Sequence, residues 1–198
     1  MLQTFTIKSN NFLSKDIKAF YSKHYTGMGY NGNPDYLNKL KNTYDYDSSF
    51  TMDAVIALKE VLLEDLPQIP NINSLAICVV PRAKAEDTYT PNQLLFKSTI
   101  QKVISMSNFY DGIKYIVRHT NTKTTHLPET TPNYNNDGDS PYPGITIETC
   151  TISSDVKGKD ILLIDDVYTK GVNIDEDAIQ ALLNCGVNSI AFYAVAKA

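Results

Sequence analysis

The chain has 198 residues, 42% hydrophobic and 20% charged, with 18 Lys and Arg against 22 Asp and Glu for a formal net charge of −4. That length carries one domain with a full core, and the balance excludes the global basic field of a general nucleic-acid binder, leaving room only for a local basic loop. No apolar run reaches the roughly 18 residues of a membrane-spanning helix and "MLQTFTIKSNN" has no signal-peptide core, so a cytoplasmic protein without a membrane partner is expected.

The first fifty residues are rich in Tyr and Asn ("HYTGMGYNGNPDYLNKLKNTYDYDSSF") and poor in aliphatics. Such a segment is expected to wrap a core built later in the chain, so residues 1–70 read as an extension or hood and residues 71–198 as the core. "SSFTMDAVIALKEVLLEDLP" predicts a helix capped by Ser49 or Thr51 and stopped at Pro67. "LAICVV" (75–80) predicts a buried strand, "PNQLLFKSTIQKVISM" (91–106) a helix with Pro91 in its first turn, and "IKYIV" (113–117) another strand. Residues 119–143 carry no apolar period, and a run of that length inside a domain is usually functional or disordered. Strands at "GITIETCTI" (144–152) and "DILLI" (160–164), a helix from about Val172 to Cys185 stopped by Gly186, and a strand "SIAFYAVA" (189–196) complete the chain. Cys78, Cys150 and Cys185 are too scattered for a metal or disulfide frame and read as small buried hydrophobes in a reducing compartment.

Continuous apolar strands alternating with helices predict an α/β fold, a mostly parallel twisted sheet covered on both faces. Ligands bind such sheets beyond the carboxyl ends of the strands, which places residues 81–84, Arg118 and residues 165–173 on one rim.

In "GKDILLIDDVYTKGVNID" (158–175) a buried strand runs into two adjacent carboxylates, Asp165 and Asp166. Like charges this close need donors or a cation, and a ribose diol or a hydrated Mg²⁺ supplies them; any metal contact of Asp165 and Asp166 would run through water. The turn Thr169, Lys170, Gly171, Val172, Asn173 leads into a helix, where unpaired backbone N–H groups welcome an anion. Acids that seek a diol, set directly before a phosphate cradle, describe a ribose 5-phosphate site. The blander reading is a strand–turn–helix in which Asp166 caps a turn and Asp165 is solvated. Asp175, Glu176 and Asp177 suit the dipole of the last helix and read as capping residues.

"ILLIDDVYTKGVN" resembles the signature of type I phosphoribosyltransferases: four hydrophobics, two acids, two hydrophobics (Val167, Tyr168) and a phosphate loop. The resemblance implies that fold. It also implies that Asp165 and Asp166 hold the ribose hydroxyls of phosphoribosyl pyrophosphate (PRPP), with residues 169–173 on the 5-phosphate. Lys170 and Asn173 replace the usual Thr or Ser, and Lys170 is reminiscent of an Arg in amidophosphoribosyltransferases. "ICVVPRAKAEDTYTPNQLLF" is similar to the family's pyrophosphate loop, which implies pyrophosphate contacts from Arg82, Lys84 and the Ala83 backbone. The "VP" strand end, "TPNQ" (90–93) and "VRHTNTKTTHL" (117–127) resemble the ComF-like branch. The likeness covers roughly residues 74–196, and with no cysteine before Cys78 the N-terminal zinc ribbon of that branch is not expected.

Carried over, Arg118, Lys123 and His126 belong to a loop that closes over PRPP, although Lys123 and His126 read equally as solvated loop cations. The implied reaction is Mg²⁺-dependent transfer of the phosphoribosyl group to a nitrogen nucleophile, with release of pyrophosphate. Thr169 stands where 6-oxopurine salvage enzymes carry Asp, which argues against hypoxanthine or guanine as acceptor. The family implies a homodimer. The competing readings are a PRPP- or nucleotide-sensing regulator without turnover and a nucleotide-targeting defence effector.

Overall fold

The computed structural model describes residues 1–125 and 134–198. Its strands and helices follow in the order β1 (Gln3–Ile7), β2 (Ile17–His24), α1 (Tyr36–Lys41), α2 (Ser48–Asp65), β3 (Ala76–Val79), α3 (Leu95–Ser107) and β4 (Tyr110–Asp111). They continue with β5 (Ile116–Arg118), β6 (Cys150–Ile152), β7 (Asp160–Tyr168), α4 (Ile174–Asn184) and β8 (Ser189–Lys197). The main sheet runs β1-β2-β8-β7-β3-β4. Its pairs are parallel except for β1 with β2. This is an α/β protein with a mostly parallel mixed sheet flanked by helices.

Alternation along β7 explains the layering. Leu162 and Ile164 meet α1, α2 and α3 through Leu37, Leu40, Leu58, Leu62, Ile100 and Ile104 on one face. Ile161 and Leu163 meet α4 on the other, through Ala178, Ile179 and Leu182. A strand buried on both faces must be apolar at every position, and "ILLI" is.

Several expectations shift in register, each for a local reason. Asp47, not Ser49 or Thr51, caps α2, its carboxylate accepting from the N–H groups of Ser49 and Phe50. The helix expected from Pro91 starts as a 3-10 turn over Pro91–Leu94, closed by a capping box between Thr90 and Gln93, before α3 begins at Leu95. The strands expected at 113–117 and 144–152 shrink to β5 and β6, which pair antiparallel with each other outside the main sheet. Residues 144–149 are withdrawn from strand structure because side chains take their backbone groups. Asp177 accepts from the N–H groups of Gly144 and Ile145, and the Thr149 hydroxyl donates to the Gly144 carbonyl.

The Tyr- and Asn-rich start does more than wrap. β2 pairs in parallel with β8 inside the main sheet, and α1 and α2 supply much of one core layer. A buried bond fixes α2 to the sheet: the Tyr193 hydroxyl of β8 donates to Asp65 Oδ2 at 2.8 Å, with Asp65 only 1% exposed. Among the described residues no helix is long and apolar enough to cross a membrane. Tyr193→Phe strips the buried Asp65 carboxylate of this donor and is expected to cost about 2–3 kcal/mol. Urea denaturation checks this as a lower midpoint at unchanged slope.

Candidate functional site

A cavity of about 410 Å³ opens at the carboxyl ends of β3 and β7. It is lined by Arg82, Ala83, Lys84, Arg118, Asp165, Asp166, Val167, Thr169 and Val172 from the segments singled out in the sequence. Tyr25, Leu40, Lys41, Tyr89, Gln93, Phe96 and Asp175 complete much of its wall.

The strand expected over 160–164 runs on to Tyr168, still paired with β8, so the two acids lie within its last pleats and not beyond its end, and they are held differently. Asp166 accepts from the Val167 N–H at 2.7 Å and faces the Lys41 ammonium at 3.4 Å. The Asp166 charge in turn raises the pKa of Lys41, so that cation stays charged. Asp165 accepts from the Asp166 N–H at 2.8 Å and lines the cavity together with Asp175. Burial and the Asp166 charge push Asp165 up to about 7, and burial with the Asp165 charge drives Asp175 well above the usual carboxylate range. Lys41 therefore faces one acid, while burial and mutual repulsion favour the neutral forms of Asp165 and Asp175.

The loop after β3 is stapled to its surroundings. The Arg82 guanidinium lies 4.4 Å over the Tyr89 ring and donates to the Gln93 carbonyl. Lys84 is buried, donating from Nζ to the Thr122 carbonyl at 3.2 Å and to Asp137 Oδ1 at 3.1 Å. Its charge holds the Asp137 carboxyl below its ordinary range. The Ala83 carbonyl accepts from the Thr122 N–H at 2.7 Å. Arg118 is buried too, with Nε donating to the Arg82 carbonyl at 2.7 Å and Nη1 to the Gly144 carbonyl at 2.8 Å. Burial lowers its pKa, and its donors serve the backbone first.

Other residues singled out in the sequence lie elsewhere. Tyr168 is turned to the opposite face of the sheet, packed on Phe5 and Phe192, with its hydroxyl donating to Glu176 at 3.0 Å. Lys170 and Gly171 form the exposed tip of the turn, where Gly171 takes φ +89° and Val172 N–H closes onto the Thr169 carbonyl. Asn173 accepts from the Asn10 side chain at 3.1 Å. Lys123 donates its N–H to the Asp139 carbonyl and does not line the cavity. His126 lies outside the described residues.

The capping role expected for Asp175, Glu176 and Asp177 gives way to three buried tasks. Asp175 lines the cavity, Glu176 receives the Tyr168 hydroxyl, and Asp177 ties down the backbone at residues 144 and 145. Helical spacing carries the signal for Asp175, which shares a face with Ile179 and Leu182, both core residues. Lys41 has no such signal, because its partner is remote in sequence.

No protein-family model matches the chain, and no curated protein matches it.

Asp165 titrates near 7 in the folded state against 3.8 as its ordinary value, so folding favours its protonated form. The stability it contributes is full below 3.8 and is lost as pH rises to about 7. The unfolding midpoint of the ligand-free protein is expected to fall across that window relative to Asp165→Asn. Thermal melts of both proteins across the window check it, and parallel curves would refute it.

Proposed function

We propose that the protein is a magnesium-dependent phosphoribosyltransferase, one that binds PRPP and passes its phosphoribosyl group to a nitrogen nucleophile. The observation that carries this reading is the convergence of Asp165, Asp166 and Thr169 with Arg82, Ala83 and Lys84 on one cavity at the carboxyl ends of adjacent parallel strands. The parallel order β8-β7-β3, with the acids late in the middle strand and the turn directly after it, is compatible with a type I phosphoribosyltransferase fold.

On this reading Asp165 and Asp166 take the ribose hydroxyls. The diol's donors replace the Lys41 ammonium on Asp166, so the acid keeps a partner throughout. Thr169 and the backbone of residues 170–173 receive the 5-phosphate, where Lys170 adds charge at the exposed tip of the turn. Arg82 and Lys84 lie beside the pyrophosphate. The acceptor nitrogen's lone pair forms the new bond to the anomeric carbon as the carbon–oxygen bond to pyrophosphate breaks and its electrons leave with pyrophosphate. The proton lost by the acceptor passes to solvent. The anomeric carbon becomes positive on the way, and the nearby carboxylates favour that charge.

The donor set suits Mg²⁺. Asp165 and Asp166 offer oxygen alone, and no group of three or more acidic, His or Cys side chains among the described residues forms a full metal cage. Mg²⁺ is typically held by one or two carboxylates together with ligand phosphates and retained waters. When bound with PRPP it supplies charge for the departing pyrophosphate.

A second reading, PRPP sensing without turnover, draws on Lys84 and Arg118, whose donors are already engaged by the protein's own carbonyls and Asp137. Calorimetric titration of PRPP with Mg²⁺ tests the shared part. Binding in the micromolar range is expected for the native protein, weakened at least about a hundredfold in Asp165→Asn/Asp166→Asn by loss of two hydrogen-bonded charges. Pyrophosphate release with a panel of amine and heterocyclic nitrogen acceptors then separates enzyme from sensor. Absence of PRPP binding by the folded native protein would reject both.

A further inference from the structure

Lys41 is a cation of the cavity to which the transfer reaction assigns no work. It ends α1, and its ammonium stands 3.4 Å from Asp166 Oδ2, with the two side chains 26% and 20% exposed. Lys39 of the same helix shows the ordinary alternative, reaching outward to Asp53, whose side chain is 68% exposed. Among the described residues Lys41 is the sole Lys or Arg that forms an ion pair with any of the cavity acids Asp165, Asp166 and Asp175.

The place of Lys41 is built into the fold. Leu40 before it and Asn42 after it are 1% and 3% exposed. The Asn42 side chain donates to the Tyr46 and Asn92 carbonyls at 2.9 and 3.1 Å and accepts the Tyr46 N–H at 2.8 Å. With the helix end pinned on both sides of it, Lys41 emerges into the cavity.

The position that Lys41 covers is rich in oxygen acceptors. Besides the adjacent acids of β7, Asp175 lines the cavity at 3% exposure, and its Oδ1 is buried without a hydrogen-bond partner. Such oxygens collect hard divalent cations. The ammonium opposes a bare one, because a metal on Asp166, bound directly or through its waters, would lie within a few ångströms of Nζ. Like charges at that range repel strongly where protein replaces much of the water. A metal carried by phosphates is treated in the opposite way. Its complex bears net negative charge, which the same ammonium attracts, and Nζ gains phosphate oxygens in exchange for Asp166.

We propose that Lys41 is a specificity-determining residue: its ammonium keeps free divalent metal off Asp166, so that Mg²⁺ enters the cavity only as the complex with its phosphate ligand. The exclusion stands on the geometry of the cavity, and admission of the complex rests on the phosphoribosyl reading.

The test is titration of the full chain with Mn²⁺, a paramagnetic stand-in for Mg²⁺, without PRPP, read by the electron paramagnetic resonance of the free ion. Lys41→Met keeps the length and loses the charge, and is expected to bind Mn²⁺ at least about tenfold more tightly than the native protein. Lys41→Arg keeps the charge and is expected to stay within about threefold of native. In Lys41→Met/Asp166→Asn the gain is expected to shrink below about twofold, since the metal loses its carboxylate. Should Lys41→Met not fold, Lys41→Gln takes its place. Calorimetry of PRPP in excess Mg²⁺ completes the test, with the native protein expected to bind the complex in the micromolar range.

Truncating a residue that only supports a helix does not create a metal site, so a gain of binding separates this role from a structural one. Equal Mn²⁺ affinity in the native protein and Lys41→Met would overturn the inference while leaving the PRPP site standing. So would an equal gain in Lys41→Arg, or a gain that survives Asp166→Asn. Failure of the native protein to bind the Mg²⁺–PRPP complex, with the Mn²⁺ gain intact, would overturn the admission step and the phosphoribosyl reading together, an outcome distinct from the other three.

Discussion

Three carboxyl groups share the end of the central strand, and their mutual repulsion is the constraint around which much of the molecule is arranged. Asp165, Asp166 and Asp175 line one cavity; Lys41 sets an ammonium beside Asp166, and burial raises the pKa of Asp165 and of Asp175. Lys41 ends α1, so α1 has to lie over the sheet for the charge to be met. The α1 helix is in turn packed through Leu37 and Leu40 into the layer that α2 completes, and α2 is fixed to β8 by the Asp65–Tyr193 bond. The first sixty-five residues are thus part of the electrostatics of the site as well as of its cover.

A second chain of bonds closes the other side of the cavity. Asp177 on α4 holds the Gly144 N–H, the Gly144 carbonyl accepts from Arg118, and Arg118 donates onward to the Arg82 carbonyl beside the cavity. The path from α4 to the β3 loop therefore passes through a single residue whose side chain must be absent. A Cβ at position 144 would fall 2.2 Å from the Pro141 carbonyl oxygen, well inside contact distance. The cations at 84 and 118 serve as scaffold before they serve any ligand: each bridges backbone carbonyls of segments far apart in sequence. Preorganised groups of this kind cost nothing to align when a ligand arrives, which is how a polar site gains most from fixed dipoles and charges.

What could be read in the sequence follows from where each signal resides. The β7 segment was legible because two-sided burial demands an unbroken apolar run, and "ILLI" followed by two acids has few other meanings in a parallel sheet. Of the rim that the rule on strand ends placed at residues 81–84, Arg118 and 165–173, the cavity takes 81–84, Arg118, 165–167, Thr169 and Val172. β1 and β2 were not legible: "QTFTI" and "IKAFYSKH" lie toward the sheet edge, interleave polar residues, and are preceded and followed by turn-rich stretches that mask their alternation. The 144–149 segment has strand composition but loses its backbone to Asp177 and Thr149, a tertiary effect with no local trace. Lys41 was invisible for the same reason, since only the fold brings residue 41 to residue 166. Asp175 was visible as a face assignment and was hidden by the commonness of acids at helix starts.

The charges of the cavity show why it can exist without a ligand and still favour one. Lys41 faces Asp166, Lys97 faces Glu86, and Lys84 faces Asp137. Arg82 is stacked on Tyr89 and Arg118 is bonded to carbonyls. Burial makes each charge costly, and the internal partners offset that cost. On the proposed reading a phosphorylated sugar would bring hydroxyl donors for the acids and phosphate oxygens for the cations, so binding would exchange internal partners for ligand ones instead of exposing bare charge. The net gain per contact is then smaller than a bare ion would give. Discrimination is larger, because a ligand lacking the diol must leave Lys41 on Asp166, and one lacking phosphate gives the cations nothing in return. On the proposed phosphoribosyl reading, a paired site of this sort would select for both halves of a ribose phosphate at once, which neither the acid pair nor the basic loop would do alone.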